Sequence, residues 1–314
     1  MHVSSLQSNS DEGPSKLSPH ATLASRVRYE AAQALVDAAP SSFGQEAILS
    51  GSAARGVSDE DSDIEIVFYV EAFPSRSERE DWLRHVGAID IVFGTESDGE
   101  TRTGVFFVFR DIWVEALWQL LAAHEQQLDA VASGTVSAHG PLTLAWIMQH
   151  AVSLRSVGLL QQWRQRFAQY PQALSQNILT DAVHFWFFPH FLAVRWALIR
   201  RGEHLALIER LYQDIRNMLR VLFAINQQWE PDWKWLRQEL NRLTIKPDRL
   251  LERIDAIFFE PELRQRVALS MSLLRDVLEL VPEQYDVTRV RVNIQDSLRT
   301  HGLSNPDVSS KKID

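Results

Sequence analysis

The pattern of apolar and polar positions separates a front part of mixed periodicity from a long helical back part. From about Ala21 to Ala39 the apolar residues recur at helical spacing, and Pro40 ends the pattern. Pro74–Val86 also has a helical pattern. Short apolar, β-rich runs predict five strands, at Gln45–Ser50, 63–70, Ala88–Phe93, Val105–Phe109 and Ile112–Leu117. The front part is therefore predicted to be α+β, a small mixed sheet flanked by helices.

In the back part, the spacing of the apolar residues changes from two to about 3.6 from about Ala116, and the pattern stays helical almost to the end. Its clearest break is His139-Gly140-Pro141. The predicted helices lie at about 143–150, 155–168, 172–201, 203–228, 232–243, 247–257 and 260–280. The predicted domains are a disordered tail over 1–20, an α+β domain over 21–138, an all-α bundle over 139–298 and a loose tail over 299–314.

Composition narrows the classes of partner. The net charge of −9 and the pI of about 5.6 argue against a broad nucleic-acid-binding surface. Cysteine is absent, which is typical of a reducing compartment. Met1–Ser25 has no signal-like apolar core, and the most apolar run, Phe185–Ile199, is too short to cross a bilayer. We expect a cytoplasmic protein with neither a nucleic-acid nor a membrane partner.

Candidate chemistry is concentrated in the fifteen residues from Gly51 to Glu65. Gly51-Ser52 predicts a turn whose backbone N–H groups can approach a phosphate closely. In the strand that follows, Asp63 and Glu65 are two residues apart and so project to the same face, while Ile64 and the alternate apolar residues face the other way. Two convergent carboxylates beside such a turn suit Mg²⁺ and a phosphoryl or nucleotidyl transfer.

A third carboxylate is expected from a later strand. Glu115 lies inside the apolar run Ile112–Leu117, where a lone acid is costly unless it is paired or metal-bound. Asp90, in the run Ala88–Phe93, is the competing choice. The acidic run at 59–61 is interpreted as a solvated turn.

These residues resemble the motif of the nucleotidyltransferase superfamily that includes DNA polymerase β and the bacterial aminoglycoside nucleotidyltransferases. The family pattern is Gly-Ser, about nine residues, and then Ser-Asp-x-Asp/Glu. Here Gly51-Ser52 is followed by nine residues and by Ser62-Asp-Ile-Glu65, and Ala-Arg-Gly at 54–56 matches the common bacterial version. Glu65 in place of Asp is similar to the kanamycin nucleotidyltransferase branch. The helical back part looks like the substrate-binding domains of bacterial members.

The resemblance implies a role for each motif residue. Asp63 and Glu65 would hold two magnesium ions on the triphosphate of an NTP. Glu115 would complete the second metal position or take the proton of the acceptor hydroxyl. Ser52 and the Gly51 backbone would bind phosphates, with Arg55 as a charge partner and Ser62 in the nucleotide-binding motif. Residues 21–138 would then be the catalytic domain, and residues 139–298 the substrate-binding domain.

Three functions follow from this resemblance. The first is Mg²⁺-dependent transfer of a nucleoside monophosphate, expected from ATP, to a hydroxyl of a small molecule such as an aminoglycoside-like antibiotic, with release of pyrophosphate. The second is an antitoxin-type adenylyltransferase acting on a protein, and the third a non-catalytic nucleotide-binding protein. A homodimer is possible, as in relatives that complete their site across two chains. In the back part, His184 and His190 are interpreted as core or groove residues, the Trp229–Trp235 stretch as core packing, and Arg195 as a surface or cleft residue.

Overall fold

The computed structural model describes residues 17–94, 99–135 and 142–303. The predicted break at 139–141, most of both predicted tails and part of the predicted polar turn 96–103 lie outside the described residues. The chain forms two compact units: the first comprises Met1–Asp129 with Leu144–Gln169, and the second Ala130–Thr143 with Tyr170–Asp314. Residues 144–169, which follow the predicted boundary at 139, thus group with the front part of the chain.

The first unit is built on one six-stranded mixed sheet in the order β3-β4-β5-β2-β1-β6. Its strands are β1 Glu46–Ser50, β2 Ile64–Val70, β3 Ile89–Phe93, β4 Arg102–Phe109, β5 Ile112–Leu120 and β6 Val152–Arg155. The pairing of β2 with β5 is parallel, and the other four pairings are antiparallel. The predicted class, a mixed sheet with helices followed by a helical region, is confirmed at this level.

Helices flank this sheet. They are α1 Leu23–Asp37, the short α2 Gly51–Arg55, α3 Arg76–Val86, α4 Leu121–Ala132, α5 Thr143–His150 and α6 Leu159–Arg166. The apolar face packs against α1, α2 and α3. Alternate strand residues such as Ile64, Ile66 and Phe68 are fully buried. The Phe68 ring stacks on Trp118, with 5.7 Å between ring centroids, and Trp82 of α3 meets both edge-on. On the opposite face, Tyr69 of β2 packs against His124 of α4 and Trp163 of α6, whereas Glu65 of the same strand stays partly exposed.

The second unit is helical. It contains α7 Gln172–Phe187, α8 Pro189–Arg201, α9 His204–Ile225, α10 Leu236–Arg242, α11 Leu250–Phe259, α12 Leu263–Glu279 and α13 Thr288–Thr300. The interpretation of Arg195 as a surface residue was wrong, because its guanidinium is buried and pairs with Asp214 at 2.6 Å. Trp186 donates to the same carboxylate. Arg195 therefore forms an ion pair with Asp214 in the core of this unit.

The helices of the described residues are short or interrupted by polar positions. No single helix in 17–94, 99–135 and 142–303 is long and apolar enough to span a bilayer, and only the bent pair α7 and α8 meets the criterion when the two are taken together.

Several predicted elements differ from the structure. Val152–Arg155 forms the edge strand β6 on β1, which a four-residue pattern next to a predicted helix at 155–168 could not indicate. The predicted helix 172–201 breaks at Phe188, because Pro189 has no N–H and holds the residue before it extended, with ψ 128°. The strand β5 continues to Leu120, so the change to a helical period at 116 was wrong. The helix α13 was not predicted.

Candidate active site

The two predicted glutamates lie opposite each other on neighbouring parallel strands. Glu65 of β2 is in register with Glu115 of β5, and Ser50 of β1 is in register with Glu65 on the other side. Adjacent strands are about 4.8 Å apart, and residues in register project to one face of the sheet. The sheet therefore sets two carboxylates side by side, between residues that are about fifty positions apart in sequence.

Burial alternates along β2 and β5, and this alternation shows that the two glutamates project to the more exposed face of the sheet. Ile64, Ile66, Val114 and Ala116 are buried in the core, whereas Glu65 and Glu115 are partly exposed. Asp63 precedes β2 and is exposed. Glu65 and Glu115 thus lie on the accessible side of the sheet, and Asp63 is at the exposed start of β2. The opposite side of the sheet supplies the apolar packing that holds the strands in register.

Gly51 packs directly against the Glu65 carboxylate. Its φ of +66° is in the left-handed region, and a Cβ atom at this position would lie 2.7 Å from Glu65 Oε2. Ser50 Oγ donates a hydrogen bond to the same oxygen at 3.1 Å. The predicted turn is therefore the start of the short helix α2, and its first residue favours glycine because φ is positive and the Glu65 carboxylate would have to move to admit a Cβ.

Ser52 is held in a buried hydroxyl network. Its Oγ is 3.1 Å from Ser58 Oγ, and the Ser58 N–H donates to Ser25 Oγ at 2.8 Å. Thr22, the N-cap of α1, donates from Oγ1 to the Ser58 carbonyl oxygen at 2.8 Å, and its Oγ1 lies 2.9 Å from Ser25 Oγ. A hydroxyl has one donor and two acceptor positions, so the contact with Ser58 leaves Ser52 capacity for a further bond. Its phosphate-binding role stays a prediction.

The turn before Asp63 is closed by Ser62. Ser62 Oγ donates to Asp59 Oδ1 at 2.7 Å and accepts from the Asp59 N–H at 3.0 Å. The hydrogen bond from Ser62 holds the pKa of the exposed Asp59 carboxyl below its usual value. Asp59, Glu60 and Asp61 are exposed, as the interpretation of this run as a solvated turn requires. The contacts assign Ser62 a part in shaping the turn.

Arg28 is a site-supporting residue that the sequence did not indicate. It lies on α1, is buried, and donates from Nε to the Ser62 carbonyl oxygen at 2.7 Å and from Nη2 to the Glu60 carbonyl oxygen at 2.9 Å. A charged donor to two carbonyl groups of one turn fixes that turn firmly. From the sequence, an arginine in an amphipathic helix is expected to be exposed. Its role in holding the turn is seen only from its bonds to the distant carbonyl groups of residues 60 and 62.

The other predicted residues occupy separate positions. The Arg55 guanidinium lies 4.9 Å from the centre of the Trp146 ring of α5, a cation–π contact, and its predicted contact with phosphate stays a prediction. Asp90 is exposed on β3, and the strands β4 and β5 lie between it and β2. Of the two candidates for a third carboxylate, Glu115 is the one beside Glu65.

The donor set fits a magnesium ion that arrives with a phosphate ligand. Over residues 17–94, 99–135 and 142–303, no three His, Asp or Glu side chains lie close enough to hold a metal ion by themselves. Mg²⁺ is usually held by one or two carboxylates together with substrate phosphates and water. The oxygens of Glu65, Glu115 and the adjacent Asp63 are of this hard type.

Comparisons with known proteins find one family model and several solved structures that are similar to this chain. A family model described as a domain of unknown function, DUF4037, matches residues 139–236. The structure of a nucleotidyltransferase-like protein from Exiguobacterium sibiricum 255-15 aligns with a TM-score of 0.37 and 10% sequence identity, over 92% of this chain and 96% of that chain. At this TM-score the likeness is too distant to carry a function over. No curated protein matches the sequence.

Proposed function

We propose that the chain is a nucleotidyltransferase, which transfers a nucleoside monophosphate from an NTP to a hydroxyl group of a small molecule and releases pyrophosphate. The main support is the register that sets Glu115 beside Glu65, with Asp63 two residues earlier and Gly51 against the Glu65 carboxylate. The motif from Gly51 to Glu65 supports the same reaction. Neither observation alone selects the acceptor.

Each residue has a role in this proposal. Asp63 and Glu65 would hold magnesium, and Glu115 would complete the second metal position or accept the proton of the attacking hydroxyl. Bound magnesium would neutralise charge on the entering and leaving oxygens. The backbone at Gly51, with Ser52 and Arg55, would orient the triphosphate for in-line attack on the α-phosphorus. The P–O bond to pyrophosphate breaks as the bond to the acceptor oxygen forms, and most of the protein's contribution is positioning.

The test is pyrophosphate release with Mg²⁺ and each of the four NTPs, over a panel of aminoglycosides, lincosamides and metabolite extract. Asp63→Ala should abolish acceptor-dependent release, and Glu115→Gln should reduce it by about 10²–10⁴-fold if Glu115 is the base. Asp61→Ala is the matched control, because Asp61 is an exposed acid of the same turn, and it should behave like the wild type.

Other outcomes would contradict this proposal in different ways. Release that persists in Asp63→Ala would refute the assigned roles. Silence over the panel with intact binding of Mg²⁺–NTP would favour a protein acceptor, as in the antitoxin-type enzymes. A chain that binds no NTP would be a different kind of protein.

A further inference from the structure

An apolar platform lies on the same face of the sheet as the paired glutamates. Phe106 of β4 is in register with Glu115, and Val92 of β3 is in register with Phe106. In the next row along the strands, Ile89 faces Val108, which faces Trp113. Four of these side chains are strongly exposed: Ile89 57%, Val92 58%, Phe106 43% and Trp113 56%.

The exposure of this platform is not a general property of its strands. Val105 and Phe107, which flank Phe106 on β4, project to the other face and are fully buried in the core. Trp113 and Phe106 also lie on strands with a neighbour on each side, so their exposure is not that of a sheet edge. Isolated exposed apolar residues are ordinary, but a contiguous group of them marks a surface that binds something.

A bulge in β3 extends the platform. The register of β3 on β4 shifts between Ile89 and Val92, and Asp90 in between has a φ of +53°. The extra residue brings Ile89 and Val92, three positions apart, to one face. With strands about 4.8 Å apart and about 6.8 Å between alternate residues, the platform measures about 10 Å by 7 Å, enough for a bicyclic ring.

The order of residues across the sheet places the platform on one side of the acids. One row runs Val92, Phe106, Glu115, Glu65 and Ser50, and Gly51 follows Ser50 directly. The phosphate-binding turn is therefore at the β1 end of the row and the apolar surface at the β3 end. In an in-line displacement the acceptor approaches from the side opposite the leaving pyrophosphate, which is the side where Glu115 meets the platform.

We propose that this platform binds an apolar or aromatic part of the acceptor, so that the acceptor is an amphipathic alcohol and not a wholly polar sugar. This inference rests on the proposed function, because it takes Glu115 as the group next to the reacting hydroxyl. Phe106 and Trp113 offer ring faces on which a ligand ring stacks. A hydroxyl two or three bonds from that ring then reaches the carboxylate row.

A matched pair of probes tests the platform without knowledge of the natural acceptor. Phenyl β-glucoside and methyl β-glucoside share the sugar and differ only in the aglycone, a phenyl ring against a methyl group, and their binding is measured by saturation-transfer NMR at millimolar concentration. The wild type should bind the phenyl compound about tenfold more tightly, and Trp113→Ser or Phe106→Ser should each remove about tenfold, the effect of about 1.4 kcal/mol. Phe259→Ser is the control, because Phe259 is an aromatic residue of the second unit that is even more exposed, at 81%.

The opposite results would overturn the inference. Equal binding of the two glucosides, no binding of either, or unchanged binding in Trp113→Ser and Phe106→Ser would exclude a ring site on the platform. A dimer that dissociates in Trp113→Ser, seen by sedimentation, would show that a second copy of the chain covers this face.

The two proposals fail in distinguishable ways. Asp63→Ala should abolish pyrophosphate release and leave binding of the phenyl compound intact. Release that needs no ring in the acceptor would keep the transfer reaction and refute the platform. Ring binding in a chain that never releases pyrophosphate would refute both the transfer reaction and the assignment of the ring to an acceptor.

Discussion

Replacement of Arg28 by alanine should loosen the turn that leads into Asp63. The buried guanidinium connects α1 to this turn through the carbonyl oxygens of Ser62, at 2.7 Å, and Glu60, at 2.9 Å. Its third bond, to the Ala24 carbonyl oxygen at 3.2 Å, stays within the helix. The variant therefore removes both side-chain bonds by which Arg28 holds the turn in place.

The expected loss follows from these contacts. A hydrogen bond to a charged donor contributes about 1.5–3 kcal/mol, so two of them give about 3–6 kcal/mol to the free energy of unfolding. Residues 59–61 are exposed, and water can replace part of the lost bonding at this turn. We expect a loss near the lower limit, about 3 kcal/mol. Arg28→Lys should lose less of the free energy of unfolding than Arg28→Ala, because lysine keeps the charge. Some loss should remain, because lysine lacks the planar fork that reaches two carbonyl groups.

Urea unfolding compares Arg28→Ala with Arg26→Ala. Arg26 lies on the same helix and donates to the carbonyl oxygens of Ala21 and Pro19, which are outside the turn. If the enzyme works as proposed, Arg28→Ala should also lower kcat for nucleotide transfer, measured without urea, where the variant is folded. Arg26→Ala should leave kcat unchanged. Equal losses of stability and rate in the two variants would refute the reasoning, because they would show no special role for the bonds to residues 60 and 62.

Three further predictions concern the same unit. Gly51→Ala should cost about 1–2 kcal/mol in stability, because φ is +66° and the new methyl group meets the Glu65 carboxylate; thermal unfolding identical to the wild type would contradict this. Glu46→Gln should cost about 2–4 kcal/mol in urea unfolding, because the buried carboxylate accepts from backbone N–H groups at 157, 159 and 160 and from a serine hydroxyl. Burial lowers the pKa of His124 to about 4 from an ordinary 6.5, so the unfolded chain binds the proton more readily between these values. Stability should fall by up to about 3 kcal/mol as the pH drops from 6.5 to 4, and His124→Phe should remove this part of the slope.

The local pattern predicted the strands of the site well because one face of each strand is buried. In β2 the buried Ile64, Ile66 and Phe68 alternate with residues of the other face, so the positions of Asp63 and Glu65 followed from a period of two. The same reasoning found β5 but ended it at 117, since its last residues, Trp118 to Leu120, lead without a break into α4. A strand that passes directly into a helix has no turn residue to mark the change.

Tertiary contacts decided what the pattern could not. Val152–Arg155 is too short to be recognised as a strand alone, and it forms because β1 presents an edge to it. Arg155 adds hydrogen bonds from its guanidinium to the carbonyl oxygens of residues 36, 39 and 44, all distant in sequence. Arg28 was missed for the same reason, as its carbonyl acceptors lie more than thirty positions away.

The choice between Glu115 and Asp90 shows where sequence reasoning about the site stops. Both are single acids in short apolar runs, and their local patterns do not separate them. The strand order does, since β5 lies beside β2 whereas β3 lies two strands further away. The same order sets Phe106 beside Glu115, and Trp113 lies two residues before Glu115 on β5, so the strand that completes the acidic row also joins it to the apolar platform. A variant that moved β5 by one residue would turn Glu115 into the core and Ala116 to the surface, and the acids and the platform would be lost together.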